Sequence, residues 1–222
     1  MNMTISYSGW GTFKDCPAKF RYRYIDKVEV PELEKSTAAS RGTDYHNSLE
    51  EFFKEEDTEV PAMLAQKFGH FLFTLKQRSP VPEQKYAYTW QWEPCDFDDP
   101  EAMTRGVIDL VVGDYSPEMF EWKTGKEYET HHHQRMKYAM VGMLQFPDVE
   151  QFSVTGVYFD KSPRSAFITD TYTREQLPEL QKYWKSQFLG IKVLEPRYMV
   201  PNPSPRCRWC HYSNKTGGPC KF

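Results

Sequence analysis

The sequence predicts an α/β protein in which a mainly helical N-terminal part is followed by strands. Apolar residues recur at helical spacing in the first 82 residues, most clearly from Val60 to Arg78. Beyond them, runs rich in aromatic and β-branched residues alternate with Gly, Ser and Pro. A helical stretch after Glu129 divides these runs into two groups, as is typical of a chain that mixes helices and strands.

The composition indicates a soluble, cytoplasmic protein. No apolar run approaches the roughly 20 residues that cross a bilayer, and the first residues lack a signal-peptide pattern. The formal charge of −3 gives no overall attraction to nucleic acid, so such a partner would need a local basic surface. Five cysteines, an odd number, favour metal binding or burial over a disulfide framework. We expect no membrane partner.

The 222 residues suffice for one domain with a sizeable core, and we expect a single domain over 1–222. Within it, residues 1–82 form the mainly helical part, residues 83–172 the sheet with one helix, and residues 173–222 a last helix and a cysteine-rich coil. Thr173 and Gln176 form a predicted capping box at the start of that last helix.

A hairpin is predicted in the middle of the chain. The β-branched run from Arg105 to Val112 ends at Gly113 and Asp114, and an extended pattern resumes from Met119 to Lys123. Another strand is expected before it, from Lys85 to Trp92, because aromatic residues recur there at period two. These segments would form neighbouring strands of one sheet.

Three side chains of the hairpin form a chemically matched set: Asp109, Glu121 and Lys123. Because side chains alternate across a strand, Glu121 and Lys123 share one face, Trp122 points to the other, and Asp109 can lie opposite. Two converging carboxylates suit Mg or Mn, and a lysine beside them can orient a water for phosphodiester hydrolysis. A solvated strand edge with a salt bridge is the alternative.

Two helices add candidates to this set. His46 follows Arg41 in an R-G-x-x-x-H pattern, and a neutral imidazole can complete a divalent-metal site, although a single histidine is more often structural. Gln134 and Tyr138 lie one turn apart on the helix after the hairpin, where an amide and a phenol could bind phosphates or bases. The three histidines at 131–133 are interpreted as the start of that helix, near DNA.

The Pro/Gly-rich C-terminal coil holds a C-x-x-C pair and a third cysteine. These are Cys207, Cys210 and Cys220, and the pattern is typical of a metal-binding loop for which zinc is the general expectation.

The order of these motifs resembles the RecB-like branch of the PD-(D/E)XK nuclease superfamily, in particular the small CRISPR-associated adaptation nuclease and its phage relatives. The resemblance covers nearly the whole chain. It rests on Cys16, R-G-x-x-x-H at His46, Glu83, G-V-I-D at Asp109, E-W-K at Lys123, Q-x-x-x-Y at Tyr138 and the C-terminal cysteines.

The resemblance implies a central mixed sheet flanked by helices, with the N- and C-terminal segments joined at a cysteine metal site. It implies one or two Mg or Mn ions held by His46, Asp109, Glu121 and the main-chain carbonyl of Trp122, with Glu83 as an additional ligand. Lys123 would position the water. Substrate would be bound by Gln134, Tyr138 and Arg41.

Members of this group with an iron-sulfur cluster hold four irons and four sulfides with one N-terminal and three C-terminal cysteines. Cys16, Cys207, Cys210 and Cys220 fall on those positions, and Cys95 does not. The spacing between Cys210 and Cys220 is longer than in the commoner pattern, so zinc stays an alternative, with His211 as a spare ligand.

The function implied is that of a metal-dependent DNA exonuclease acting on single strands or frayed ends, in a prokaryotic or phage-infected cell. A protein partner in recombination, replication or CRISPR adaptation is implied with it. The alternative is a catalytically silent module that binds DNA ends or a partner and keeps the same fold.

Overall fold

A computed structural model describes residues 3–29, 37–55, 58–113 and 115–222, without the side chains of residues 37–39. Asp114, predicted at the hairpin turn, lies outside this description. The described residues form six α-helices, the second of which continues as a π-helical turn over Arg21–Ile25. The helices are α1 (Tyr7–Asp15), α2 (Pro17–Phe20), α3 (Thr37–Lys54), α4 (Ala62–Lys76), α5 (Glu129–Gln145) and α6 (Leu177–Val193).

Five strands form one mixed sheet in the order β1-β2-β3-β4-β5. Strand β3 pairs antiparallel with β2 and parallel with β4, and β4 pairs antiparallel with β5. The helix α5 supplies the crossover that a parallel β3–β4 pair requires. The strands are β1 (Val81–Tyr88), β2 (Thr104–Val112), β3 (Glu118–Lys123), β4 (Gln151–Tyr158) and β5 (Phe167–Thr173).

The two faces of the sheet are covered by different helices. On one face, Phe120 and Trp122 of β3 join a buried cluster with apolar residues of α3 and α4, among them Phe53 and Phe68. On the other face lies α5, which packs against β3, β4 and β5. The period-two alternation of β3 therefore directs Glu121 and Lys123 toward α5, and the predicted α/β fold with a mixed sheet between helices is confirmed.

The predicted strand from Lys85 to Trp92 is wrong at both ends. Strand β1 starts at Val81 and ends at Tyr88. The chain then turns tightly, because the N–H of Thr89 bonds the carbonyl of Glu93 at 2.9 Å and Trp92 adopts a positive φ of 64°. The aromatic alternation thus continues through a turn, where sequence periodicity alone cannot distinguish it from a strand.

The chain divides into two compact units, each built from separated segments. One comprises Met1–Glu34, Ala87–Arg105 and Trp184–Phe222, and the other comprises Lys35–Tyr86 and Gly106–Tyr183.

The predicted capping box forms within the 3₁₀ turn that leads into α6, where the N–H of Thr173 bonds Oε1 of Gln176 at 2.8 Å. Within the described ranges, no helix combines the length and the apolar character that a membrane crossing requires.

Candidate active site

The β2–β3 hairpin brings two carboxylates together. The register pairs Leu110 with Phe120, so Asp109 and Glu121 occupy the next position along the two strands. Oδ2 of Asp109 accepts a hydrogen bond from the backbone N–H of Trp122 at 2.7 Å. Only 9% of Asp109 and 5% of Glu121 is exposed to solvent. Both acids are therefore held in a buried, fixed position.

Gln134 of α5 joins Lys123 to Glu121. Its side-chain oxygen accepts a hydrogen bond from Nζ of Lys123 at 2.8 Å, and its amide nitrogen donates to Oε1 of Glu121 at 2.7 Å. Nζ of Lys123 also reaches Oε1 of Glu121, at 2.6 Å. Since only the amide nitrogen can donate to a carboxylate, this closed triangle fixes the orientation of the amide.

Tyr138 extends the triangle by one helical turn. Its hydroxyl accepts a hydrogen bond from the amide nitrogen of Gln134 at 3.2 Å and donates its own proton to the carbonyl of Val107 on β2 at 2.8 Å. Burial raises the pKa of Tyr138 well above its usual value, so the phenol stays neutral. Gln134 and Tyr138 are thus engaged with the carboxylate and the hairpin, and their binding of substrate stays a prediction.

A second group of possible ligands meets at Asp109. Nδ1 of His46, on α3, lies 3.3 Å from Oδ1 of Asp109. His46, Glu83 and Asp109 each offer one ligand atom, and these three atoms all lie within 4.8 Å of one another. The residue types and the spacing fit a divalent cation. The carbonyl of Trp122 stays a predicted ligand.

The electrostatics of the site indicate an excess of buried negative charge. Burial would lower the pKa of His46, but its hydrogen bond to Asp109 and the negative charges of Asp109 and Glu121 raise it to about 9. Burial and the charge of Asp109 raise the pKa of Glu121 to about 7. Burial, with the charge of Asp109, also raises the pKa of Glu83. These shifts have one cause in common: positive charge is favourable close to Asp109 and Glu121.

The other carboxylate oxygen of Glu121 supports this interpretation. Oε2 of Glu121 is buried and has no hydrogen-bond partner among the described residues, whereas Oε1 has two donors. A buried carboxylate oxygen without a partner costs free energy, and a cation would satisfy it. The residues present therefore fit a bound Mg or Mn ion.

An open groove of about 460 Å³ runs beside the acids, lined by His46, Lys123, Tyr128 and His131 among others. The sequence pattern predicts His131 only as part of a helix start near DNA, without a role of its own. The structure shows that the first turn of α5 turns the ring of His131 into the groove, whereas His132 contacts Asp170 instead. Adjacent positions of a helix point about 100° apart, so the sequence already indicates that the three histidines cannot all face the same surroundings.

His131 is held by a buried polar pair. Its Nδ1 lies 2.9 Å from the hydroxyl of Tyr158, and that hydroxyl accepts a hydrogen bond from Arg135 at 3.3 Å. Burial, followed by the positive charges of Lys123, Arg135 and Lys161, lowers the pKa of His131 to about 4. The imidazole is therefore neutral at physiological pH.

Arg41, predicted to bind substrate, is engaged in an ion pair. Its guanidinium donates to Oδ2 of Asp160 at 2.7 Å, and the same oxygen accepts the backbone N–H of Gly125 at 2.7 Å. Gly42 follows, and a Cβ placed there would lie 3.3 Å from Oγ1 of Thr124. Arg41 thus helps to fix the segment after β3, and its contact with substrate stays a prediction.

The four cysteines expected at a metal site line one cavity of about 270 Å³. Cys16, Cys207, Cys210 and Cys220 are all free thiols there, while Cys95 is not among the lining residues. His211 is exposed and does not line the cavity. In the part of the chain that the structure describes, no three of these sulfurs lie within 4.8 Å of one another.

Comparisons with solved structures and with family models show what the chain is similar to. A crystal structure named "Putative exonuclease" from Eubacterium rectale matches with a TM-score of 0.57 at 12% identity, covering 96% of this chain and 88% of that one. The crystal structure of SSO0001 matches with a TM-score of 0.44 at 14% identity, covering 99% and 87%. No curated protein matches. The family model of the PD-(D/E)XK nuclease superfamily matches residues 4–214, nearly the whole length. The chain therefore belongs to the PD-(D/E)XK nuclease superfamily.

Proposed function

We propose that the protein is a metal-dependent deoxyribonuclease that hydrolyses phosphodiester bonds as an exonuclease, on single-stranded or frayed DNA ends. The observation that carries the proposal is the convergence of His46, Glu83 and Asp109, with ligand atoms within 4.8 Å of one another, beside a hairpin that also presents Glu121 and Lys123. Membership of a nuclease superfamily supports the same chemistry.

A divalent cation would be held by His46, Asp109 and Glu121, with Glu83 and the carbonyl of Trp122 as further ligands. When bound, such an ion lowers the pKa of a water and withdraws charge from the phosphate oxygens. His46 must give up its proton to ligate an ion, so the imidazolium that balances Asp109 is replaced by the cation.

Lys123 is the residue that acts on the attacking water. Its ammonium is anchored between Oε1 of Glu121 and the amide oxygen of Gln134, and only 19% of its side chain is exposed. Anchored in this way, it has one N–H direction left for a water or a phosphate oxygen, since an ammonium has three. It orients the water for attack on phosphorus and offsets the negative charge that develops there. Because the amide oxygen of Gln134 is a second acceptor, the ammonium of Lys123 is not positioned by Glu121 alone.

The groove supports a single strand as substrate. The exposed ring of Tyr128, with Nζ of Lys126 5.5 Å from its centroid, offers a base a stacking surface beside a cation. Arg135 can only donate, so the oxygen of Tyr158 accepts from it, and we assign the phenol proton to the hydrogen bond with Nδ1 of His131. The remaining imidazole proton is then on Nε2, and His131 serves as a neutral donor to substrate.

We also propose that the chain belongs to the RecB-like branch and that its four cysteines hold a cluster of four irons and four sulfides. The cavity lined by all four thiols supports the proposal. A single zinc ion with bonds of about 2.3 Å would hold its ligand sulfurs close to one point, whereas among the described residues no three of these sulfurs lie within 4.8 Å of one another, and a cluster holds its thiolates further apart. Anaerobically purified protein should be brown, and colourless protein with bound zinc would contradict the cluster. A partner in recombination, replication or CRISPR adaptation is part of this proposal.

The proposal is tested with end-labelled single-stranded DNA in Mg and in Mn. Asp109→Ala and Lys123→Ala should each reduce cleavage by at least about a hundredfold. Calorimetry should show weakened Mn binding for Asp109→Ala only, since Lys123 does not contact the ion. Glu118→Ala, on the same strand but paired with Arg78 at 2.6 Å, is the matched control. Cleavage that survives either substitution would contradict the roles given to Asp109 and Lys123, and no cleavage by the unsubstituted protein in either metal would favour the catalytically silent DNA-binding module.

A further inference from the structure

The C-terminal segment has a charge that the rest of the chain lacks. Residues 196–222 contain five lysines and arginines and no aspartate or glutamate, in a protein of formal charge −3. Some of this charge lies around the cysteine cavity, whose lining includes Lys19, Trp209 and Phe222; Arg206 lines it too, but as the partner of Asp15. A positive local surface on an acidic protein indicates a polyanionic partner.

An exposed tryptophan lies beside this cavity. The side chain of Trp209 is 63% exposed at the end of the capped turn Pro205–Trp209. The guanidinium carbon of Arg208 lies 3.7 Å from the centroid of its ring, so the cation covers one face of the indole. In the described part of the chain, Arg208 has no carboxylate within ion-pair distance and its charge is available to a ligand, whereas its neighbour Arg206 is paired with Asp15 at 2.9 Å.

A comparable arginine–aromatic pair lies nearby in the sequence, but the charge of its guanidinium is neutralised. Arg197 lies over Tyr198, with its guanidinium carbon 4.9 Å from the ring centroid. There, however, Glu195 forms an ion pair with Arg197 at 3.0 Å. The aromatic and the cation are the same in kind, but the charge is cancelled.

We propose that Lys19, Arg208, Trp209 and Phe222 form a basic aromatic surface that binds single-stranded nucleic acid. Arg208 and Trp209 would stack a base, and Lys19 would contact a phosphate. Single-stranded nucleic acid is favoured over an acidic peptide because the available indole and guanidinium offer planar stacking surfaces, which a peptide of carboxylates does not use. The inference rests on the proposed function, since it adds a second contact for the same class of substrate.

The test is equilibrium binding of a fluorescein-labelled oligo(dT) 20-mer, followed by anisotropy in the non-cleaving Lys123→Ala background. Trp209→Ala should weaken binding by about tenfold or more, and Trp209→Phe should restore most of it. Arg208→Ala should reduce the magnitude of the slope of log K against the logarithm of the salt concentration by about 0.7, because one positive charge close to the phosphates is lost. Arg197→Ala and Tyr198→Ala are the matched controls and should leave binding unchanged.

Arg208→Glu guards against an effect of misfolding, because it keeps Trp209 and replaces an exposed side chain in a turn. Unchanged affinity in both Trp209→Ala and Arg208→Glu would overturn the proposal, and so would equal displacement of the DNA by a polyglutamate peptide. The cleavage assay tests the proposed nuclease function independently of this binding measurement. Binding that depends on Trp209 in a protein that never cleaves DNA would refute the proposed function and leave this inference standing.

Discussion

Lys137 gives a quantitative prediction of stability against pH. It lies on α5 with no exposed surface, and its Nζ is 5.3 Å from the ring centroid of Tyr86. Burial lowers the pKa of Lys137 to about 7, against about 10.4 for an unperturbed lysine. Between these values the unfolded chain holds a proton that the folded chain lacks. The free energy of unfolding should therefore rise with pH by up to about 1.4 kcal/mol per pH unit.

Lys137→Met keeps a side chain of similar length and removes the charge. At pH 7 and below, where the unfolded chain binds the lysine proton far more tightly than the folded chain does, we expect the variant to be more stable than the unsubstituted protein by up to about 4 kcal/mol. The difference should shrink steadily and vanish near pH 10.

Urea unfolding followed by tryptophan fluorescence at pH 6, 7, 8 and 9 measures this difference. The other titrating groups contribute equally to both proteins, so their contributions cancel. Lys67→Met, at an exposed position of α4, is the control and should give parallel curves. A stability difference for Lys137→Met that does not change with pH would refute the argument that Lys137 is buried without its proton.

Three further predictions concern the sites. His46→Ala should lower activity most at limiting Mn if His46 is a ligand, and a lower melting temperature with unchanged metal dependence would refute that role. His131→Gln, which keeps a donor at the position of Nε2, should retain more activity than His131→Asn, and the difference should lie in KM; equal loss in both would exclude the donor role. Cys16→Ser should reduce metal content and make the last twenty or so residues sensitive to protease, whereas Cys95→Ser should change neither; full metal content in Cys16→Ser would exclude the four-thiolate site.

The hairpin that carries the acids could be predicted because its determinants are local. A β-branched run, a turn and a second extended run are enough to place Asp109 opposite Glu121, and the period of a strand separates Lys123 from Trp122. The pairing of His46 with Asp109 joins distant parts of the chain. It was expected only through the resemblance to a family, since no local pattern encodes it.

Helix α5 shows why the rest could not be predicted. An amphipathic pattern assumes one buried face, but residues Gln134, Arg135 and Lys137 are buried along with their apolar neighbours. Arg135 is only 3% exposed because Asp170 and Tyr158 satisfy it from β5 and β4. A charged residue in the sequence is ordinarily assigned to a solvated face, and only the tertiary partners show otherwise.

The attachment of α5 to both strands of the hairpin has a consequence for engineering. Gln134 binds Glu121 on β3, and Tyr138 binds the carbonyl of Val107 on β2, so the geometry of the acids is set by a helix and two strands. Among the described residues, the connection that follows α5, around residue 148, makes no bond to these groups; its partner is Arg174, whose guanidinium donates to the carbonyls of Phe146 and Val149 at 2.7 Å. Insertions or a circular permutation at this connection should preserve catalysis. A fusion partner could be attached there without changing the geometry of the acids.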